Sequence, residues 1–354
     1  MSYKVGDVIN SKYTVTREFD SANGGQCQWG FAEFNGKEFF VKKFLSPVYP
    51  TEKAPGSEKK KQERREKCQE FETKQQALVE ALSDCGNGGL VVRTIEIFRE
   101  GNEFGEHYFK VSEKVDTSSL SDSVYTLDMT KRLFVMLTAV GALSILHKNN
   151  ILHFDLKPDN ILIQEYEGRL VAKIIDFDSS ILKGESLNPE LLIGDTVYYS
   201  PEFGQYLVKE GKESSPDEKS DIFSLGLIFC KYWAGQLPDF SADYDYAYQA
   251  VLAGKTLMLP RVSKSKPKET KSRLKGSLSP SYTSKDDTAL MEEKLATLVE
   301  KMLANNPESR PSASELHQQI KSLYHHGKLP HTEEKETSPT DKKKRINYSH
   351  NLNK

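Results

Sequence analysis

The chain has 354 residues, 37% of them hydrophobic, with 49 basic and 51 acidic side chains. This length is enough for one large domain or for two lobes, each with its own core. The nearly balanced charge gives no overall attraction to polyanions, so we expect no nucleic-acid partner. The four cysteines are far apart and form no C-x-x-C pair. Their spacing argues against a disulfide framework or a zinc site and favours a reducing compartment.

No membrane segment is expected. The first residues, MSYKVGDVIN, lack the apolar core of a signal peptide. The most apolar run, residues 133–146, is too short to cross a bilayer and is expected to form a buried helix. We therefore expect a cytoplasmic protein.

Residues 1–115 are expected to form a small β-rich region that contains one helix. Alternating apolar residues between 12 and 45 flank an Asn-Gly pair at 35–36, which is the signal of a two-residue hairpin turn. Further strands are expected near 90–100 and 107–115. Between the hairpin and these strands, a charged segment leads into apolar residues at helical spacing, Phe71, Leu78 and Leu82.

Residues 116–325 are expected to form a larger, mainly helical region. It contains a stretch at 261–287 that is rich in Ser and Lys and nearly free of apolar residues, which we interpret as a mobile insertion. Residues 326–354 lack the apolar content to bury much surface and are expected to be a disordered tail. The predicted fold class is therefore α+β, with a small β-rich lobe before a larger helical one.

Charged and polar motifs follow one another through the second region. They read ILHFDLKPDN (151–160), KIIDFDSS (173–180), GDTVYYSPEF (194–203), KSDIFSLGLIF (219–229) and NPESRPSASEL (306–316). In this order they resemble a eukaryotic-type (Hanks-type) serine/threonine protein kinase, as a stand-alone kinase domain. The resemblance covers residues 12–325 and is much more specific in the second region than in the first.

This resemblance implies a bilobal fold and phosphoryl transfer from ATP, a reaction that depends mainly on positioning, metal ions and charge compensation. It implies that Asp155 accepts the proton of the substrate hydroxyl and that Lys157 contacts the transferring phosphate. Asn160 and Asp176 would bind Mg²⁺ or Mn²⁺.

The same resemblance implies contacts that hold the second region together. Glu202 matches the acid of the usual A-P-E motif and would pair with Arg310. Asp221 would anchor the catalytic loop from a buried helix.

The match is weakest at the loop that should cover the ATP phosphates. Such a loop needs glycines, because side chains would keep its N–H groups away from the phosphates. Gly24 and Gly25 meet this need, whereas Cys27 stands where a third glycine is expected.

The phosphate-binding lysine is either Lys42 or Lys43, which lie on opposite faces of one strand. A two-residue turn at 35–36 places Trp29 opposite Lys42, and directly opposed residues share a face. The resemblance puts Trp29 where kinases have a nucleotide-facing valine, which selects Lys42. The same register puts Phe40 on that face, where kinases have a small alanine, so the adenine pocket is expected to be tight or aromatic.

The carboxylate partner of the lysine is expected on the charged helix. Glu72 is the first choice because it precedes the apolar turn, while Glu70 stays open because the helical phase does not decide between them. The resemblance further implies that Ser112 is the gatekeeper and that Glu113 and Val115 bind adenine through the hinge backbone.

Three residues depart from the family pattern. Phe154 replaces the arginine that receives an activation-loop phosphate in many kinases, so we expect activity without that switch. Asp178 replaces the glycine of D-F-G, which is expected to restrict switching of this loop. Thr196 lies one residue later than the usual threonine, with Asp195 in the usual place. Lys157 favours serine or threonine as the phosphate acceptor, and the shift of Thr196 weakens that inference.

Two alternative functions stay open. The loop and the later acid also resemble those of small-molecule phosphotransferases of the aminoglycoside-kinase type, which lack the elements around Glu202, Asp221 and Arg310. A catalytically silent, kinase-like binding module is the other. On the kinase hypothesis the partners are unidentified protein substrates, including the chain itself, and the basic insertion is either an autophosphorylation target, an anion-binding arm or a solvated loop.

Overall fold

The computed structural model describes residues 3–21, 27–85, 89–117, 121–189, 194–213, 215–260 and 285–326. These residues form a mixed α+β structure, with an antiparallel sheet in the first part and mainly helices after it. The elements of the first part are β1 (Val8–Ile9), β2 (Tyr13–Asp20), β3 (Cys27–Phe34), β4 (Lys37–Tyr49), α1 (Glu58–Ser83), β5 (Thr94–Asn102) and β6 (Gly105–Glu113).

The six strands are ordered β1-β2-β3-β4-β6-β5. The predicted two-residue hairpin between β3 and β4 is confirmed: Asn35 and Gly36 both have positive φ, 52° and 73°, as a type I′ turn requires. The turn sets the register, so that Trp29 lies opposite Lys42. On its other edge β4 pairs with β6, and there Lys42 lies opposite Lys110.

The two faces of this sheet have different surroundings. One face carries a buried apolar cluster that includes Tyr13, Val15, Val41 and Phe109. Because side chains alternate along a strand, Lys42 faces the other side, towards the helical part of the molecule. The register therefore directs the lysine to the site described below.

Helix α1 is longer than its apolar spacing predicted. It begins at Glu58, with the Ser57 hydroxyl accepting a hydrogen bond from the N–H of Lys60, so the charged segment is itself helical. Its buried residues include Leu78 and Leu82, which is the predicted apolar face. β4 also runs further than expected, through the proline-containing stretch to Tyr49.

The second part consists of helices and short strand pairs. In chain order these are α2 (Met129–Lys148), β7 (Ile151–Leu152), β8 (Ile161–Tyr166), β9 (Arg169–Ile174), β10 (Ile181–Leu182), α3 (Pro201–Val208), α4 (Glu218–Ala234), α5 (Ala247–Leu252), α6 (Lys285–Met302) and α7 (Ala313–His326). β8 and β9 pair as an antiparallel hairpin that lies between Asp155 and Asp176 in the chain.

Helix α2 is the centre of this part, as its apolar sequence predicted. By length and hydropathy it is the one helix of the described residues that could cross a membrane, but 61% of its most apolar stretch is buried inside the protein. It packs against α7, β9 and α4 in a cluster with Phe223, Leu298 and Ile320. These contacts are those of a core helix.

The predicted insertion and tail fall largely outside the described residues. The insertion lies outside them up to residue 284, while 285–287 form the first turn of α6. The tail lies outside them after His326, which ends α7.

Candidate active site

The loop after β7 is anchored by a buried carboxylate on α4. Asp221 Oδ1 accepts a hydrogen bond from the N–H of Phe154, and Oδ2 from that of His153, both at 2.8 Å. His147 Nε2 also donates to Oδ2, at 2.9 Å. Burial alone would raise the pKa of Asp221, but the hydrogen bonds from His147 and the loop hold it below its usual value. Helix α4 thus fixes the backbone just before Asp155.

Asp155 is held on both of its carboxylate oxygens. Asn160 Nδ2 donates to Oδ2 at 3.0 Å and the N–H of Asp195 donates to Oδ1 at 3.1 Å. Lys157 Nζ lies 3.5 Å from Oδ2. Burial raises the pKa of Asp155, against the opposite effect of the Lys157 charge. A fixed carboxylate with a raised pKa is suited to accept a proton from a hydroxyl.

His153 links this loop to the strand that precedes Asp176. Its Nδ1 accepts a hydrogen bond from the N–H of Asp155 at 3.3 Å, so its Nε2 carries the proton and donates to the carbonyl of Ile175 at 3.0 Å. The N–H of Ile175 in turn donates to the carbonyl of Asn160 at 3.0 Å. These bonds bring Asp176 next to Asn160.

The two predicted metal ligands therefore lie on adjoining stretches of backbone. The Asn160 amide nitrogen is used in bonds to Asp155, at 2.7 and 3.0 Å, which leaves its carbonyl oxygen as the atom available to a metal ion. Among the described residues no group of three His, Cys, Asp or Glu side chains forms a metal site. An amide and a carboxylate oxygen still suit Mg²⁺, which keeps water and substrate phosphates as its other ligands.

The segment that precedes α3 approaches Asp155 closely at Gly194. The Tyr199 hydroxyl donates to the carbonyl of Gly194 at 3.0 Å and accepts from its N–H at 3.1 Å. A Cβ at position 194 would lie 2.9 Å from the Tyr199 ring and 3.3 Å from Asp155 Oδ1. Glycine is therefore needed for the close approach. Asp195, which stands at the usual threonine position, caps the turn Thr196–Tyr198 by accepting a hydrogen bond from the N–H of Val197 at 3.0 Å.

Lys42 lies in a charged cluster with the D-F-D loop. Its Nζ is 2.9 Å from both Asp176 oxygens and 2.7 Å from Asp178 Oδ2. Lys110 Nζ contacts the other oxygen of Asp178. Burial lowers the pKa of Lys42, but the charges of Asp178 and Asp176 outweigh it and raise the pKa above its ordinary value. Burial raises the pKa of Asp178, and the two lysines outweigh it and lower the pKa.

The expected ion pair between Lys42 and Glu72 is not formed, so this prediction was wrong for the structure described. Glu72 Oε1 accepts a hydrogen bond from the Tyr108 hydroxyl at 2.7 Å and lies 3.7 Å from Arg99. The alternative, Glu70, is exposed on α1. Among the described residues, the carboxylates that pair with Lys42 are those of Asp176 and Asp178.

Phe154 is buried in an apolar cluster that we call the loop cluster. It comprises Leu152, Phe154, Ile181, Leu187, Phe203 and Tyr206. The Phe154 and Phe203 rings lie 5.1 Å apart between centroids, which connects the catalytic loop to α3. Phe154 has a φ of 60° and Asp176 a φ of 63°, a left-handed conformation that is costly for residues with a Cβ. The surrounding contacts therefore hold both residues in it.

The predicted pair between Glu202 and Arg310 is present. Arg310 Nη1 donates to Glu202 Oε1 at 2.6 Å and Nη2 to Oε2 at 2.9 Å, the two-pronged geometry that makes such pairs strong. The Arg310 side chain is 0% exposed and also donates to the carbonyls of Ala304, Lys219 and Asn305. Burial raises the pKa of Glu202, but Arg310 outweighs it and keeps the pKa low.

The remaining predicted nucleotide contacts are placed only in part. Gly24 and Gly25 lie outside the described residues. Glu113 ends β6, opposite Phe39, and Val115 follows in irregular backbone. Ser112 lies opposite Phe40, whose ring stacks on Trp29 with centroids 5.9 Å apart. The aromatic character expected of this face is present.

The sequence interpretation missed two members of the charged cluster. Asp178 was considered only as a replacement for glycine, and Lys110 was not considered. Lys110 could have been found from its position between Phe109 and Val111, because a lysine within a buried apolar stretch of a strand needs a charged partner.

Comparison with known proteins gives the family. The protein kinase domain model matches residues 57–320. Calcium-dependent protein kinase 4 of Plasmodium falciparum is 30% identical over 185 residues, which are 49% of this chain and 32% of that protein. The serine/threonine-protein kinase-transforming protein mos of Moloney murine sarcoma virus (strain ts110) is 34% identical over 131 residues, 36% of this chain and 34% of mos.

A bacterial relative is similar to a comparable degree. Serine/threonine-protein kinase PknB of Mycobacterium tuberculosis is 32% identical over 150 residues, 40% of this chain and 22% of PknB. The matches thus span about a third or less of the length of these relatives. Because the family model covers well over half of this chain, the chain belongs to the protein kinase domain family, and the relatives it matches are serine/threonine kinases.

Proposed function

We propose that the chain transfers the γ-phosphate of ATP to serine or threonine hydroxyls of proteins, from a bilobal kinase fold. The observation that carries the proposal is the Asp155 carboxylate, held by Asn160 and Asp195 in a loop that Asp221 anchors. A base that is fixed in this way needs little reorganisation when the hydroxyl proton is transferred.

The other residues divide the remaining tasks. Lys157, 3.5 Å from Asp155, would place a positive charge on the phosphate in transfer, and Lys42 would contact the phosphates of ATP. Asn160 and Asp176 would hold Mg²⁺ or Mn²⁺, which supplies charge neutralisation when bound. Gly24, Gly25, Glu113 and Val115 would contact ATP through the backbone.

We further propose that activity does not need a phosphate on the activation loop. In place of an arginine that pairs with such a phosphate, Phe154 joins the loop cluster and contacts Phe203 on α3. Apolar packing would then keep the segment in place without modification. Treatment of the protein with a phosphatase should leave its initial rate unchanged within about twofold, and a rate that falls at least tenfold and returns on rephosphorylation would contradict this.

Phosphosite mapping after incubation with Mg-ATP tests the proposed reaction. Purified wild type and the Asp155→Asn variant are analysed by mass spectrometry, alone and with a mixture of protein substrates. Asp159→Asn is the matched control, because Asp159 lies in the same loop but is exposed. Phosphate on Ser or Thr with wild type and the control, and not with Asp155→Asn, is the expected result.

Other outcomes favour the alternatives. Transfer of the γ-phosphate from ATP to a small hydroxyl compound, with no phosphoprotein formed, would favour a small-molecule phosphotransferase. Nucleotide binding without transfer to any acceptor would favour a silent binding module. The buried pair of Glu202 and Arg310 supports the protein-kinase hypothesis over the first of these, because it holds the segment that would receive a protein substrate.

The proposal extends to partners and location. Protein substrates follow from the proposed reaction, and the chain itself is one candidate. The four cysteines, all buried and unpaired, support a reducing, cytoplasmic location.

A further inference from the structure

A carboxylate of the D-F-D loop sits between two lysines of the sheet. Lys42 and Lys110 lie directly opposite each other on neighbouring strands and their Nζ atoms contact different oxygens of Asp178. The three side chains are well shielded, with 10%, 9% and 22% of Lys42, Lys110 and Asp178 exposed. An ion pair shielded from water is much harder to disrupt than a surface pair.

The helix that packs beside this cluster contributes no carboxylate to it. Glu72 is bound to Tyr108 and faces Arg99, and Glu70 is exposed. Lys74 of α1 lies close enough to the cluster for the charges of Glu185, Asp178 and Lys110 to act on it. With Lys42 and Lys110, Lys74 is a third positive charge near Asp178, which makes the Asp178 carboxylate more important to the charge balance of the site.

We propose that Asp178 is the positioning residue for Lys42 in this chain, and that Lys110 fixes Asp178 for that role. Asp176 also contacts Lys42, but it is the residue proposed to bind the metal. Asp178 has no such second task, so it can keep Lys42 extended towards the phosphates when Asp176 turns to the metal.

One consequence concerns control of the site. A carboxylate on a helix can be withdrawn when the helix moves, whereas Asp178 lies two residues from Asp176 on the same loop. Placement of the lysine and placement of the metal ligand are therefore coupled through one short segment. Movement of α1 is not needed to assemble this part of the site.

Nucleotide binding and turnover in a matched set of variants test the proposal, which rests on the proposed function. The set comprises Asp178→Asn, Asp178→Glu, Asp178→Gly, Lys110→Met and Glu72→Gln, with exposed Glu80→Gln as the control. The affinity for a fluorescent ATP analogue, KM for ATP and kcat are measured. The Nζ–H signal of Lys42 in proton–nitrogen spectra, assigned by its loss in Lys42→Met, reports the ion pair without any nucleotide.

Asp178→Asn and Asp178→Gly are expected to weaken analogue binding or raise KM by about tenfold or more, and to shift the Lys42 signal, because Asp176 alone then holds the lysine. Asp178→Glu is expected to restore both in part. Lys110→Met should have a smaller effect in the same direction, while Glu72→Gln stays within about twofold of the control. Combining Asp178→Gly with Lys74→Glu, which moves the carboxylate to the helix, should recover part of the loss.

The opposite pattern overturns the proposal. If Glu72→Gln weakens binding as Asp178→Asn does, or if Asp178→Asn leaves the Lys42 signal unshifted and KM at the wild-type value, the lysine is positioned otherwise. A wild type that binds the analogue but transfers no phosphate would contradict the proposed function alone, because the binding and spectroscopic comparisons still decide the role of Asp178.

Discussion

The helical part and the sheet of this kinase domain differ in how their charges are paired. In the helical part, Glu202 and Arg310 make the contacts that the motif order predicted, and so does Asp221. In the sheet, Lys42 is bound to the D-F-D loop and Glu72 is bound elsewhere. The family framework around the catalytic loop is thus kept, while the charges around the nucleotide lysine are rearranged.

The difference shows that some charged contacts of the family can be replaced by other partners and some cannot. Asp221 accepts bonds from two backbone N–H groups, and only a carboxylate at that place on α4 does so. Lys42 needs only a nearby negative charge, which a neighbouring loop can supply as well as a helix. We therefore expect mutations in the helical part to cost more stability than those around α1.

The largest loss of stability is expected for Arg310→Met. The change leaves the Glu202 carboxylate, only 18% exposed, without its charged partner, and three carbonyl groups lose a donor. Breaking a buried pair in this way costs about 3–5 kcal/mol. Denaturant unfolding measures it, with Lys53→Met as the control, because Lys53 pairs with Glu103 at the surface. Equal losses in the two variants would remove the contrast between buried and exposed pairs.

A loss of about 3 kcal/mol is expected for Phe154→Ala, because the change opens a cavity in the loop cluster. Phe104→Ala is the control: Phe104 is 54% exposed, whereas Phe154 is 6% exposed. The control should change the free energy of unfolding by about 0.5 kcal/mol or less. If Phe154→Ala is as mild as the control, the cluster does not hold the catalytic loop to α3.

Acid should destabilise the helical part through Glu202 and Asp221. Their pKa values are lowered in the folded protein, so their stabilising contribution is present above the unfolded values near pH 4 and is lost as the pH falls through the folded values. Each pKa unit is worth about 1.4 kcal/mol. Unfolding at a series of pH values below about 5 measures the loss.

Arg310→Met provides the comparison for this acid series. Without Arg310 the pKa of Glu202 is no longer held down, so the stability of the variant should fall less steeply with acid than that of wild type. Parallel curves would mean that Glu202 contributes nothing to the acid sensitivity.

The smallest effect is expected for Glu72→Gln. The glutamine can still accept the hydrogen bond from Tyr108, and the pair with Arg99 is long, at 3.7 Å, and partly exposed. The loss of unfolding free energy should stay below about 1 kcal/mol. A loss comparable with that of Arg310→Met would show that α1 is tied to the sheet by charge as firmly as the helical part is.

The sequence predicted those contacts that chain geometry restricts. The Asn-Gly turn at 35–36 admits one register, and that register selected Lys42 over Lys43. Asp155 and Asn160 are five residues apart in one loop, so the 3.0 Å contact between them needs no knowledge of the rest of the fold.

The partner of Lys42 could not be predicted in the same way. It depends on the rotation of α1 about its axis. Charged residues occur on all sides of this helix, so its sequence does not show which glutamate faces the lysine. Asp178 was considered for its backbone, whereas its importance lies in its side chain. Its contact with Lys110 joins residues 68 positions apart, and only the pairing of β4 with β6 reveals that Lys110 shares a face with Lys42.

The rate of phosphate transfer by Asp155→Asn, relative to Asp159→Asn, tests the central claim most directly. Both changes remove one charge from the same loop, but only Asp155 is held by Asn160 and Asp195. We expect Asp155→Asn to transfer phosphate roughly 100- to 10,000-fold more slowly than wild type with ATP affinity retained, and Asp159→Asn to match wild type within about threefold. Equal rates for the two variants would contradict the assignment of Asp155 as the base.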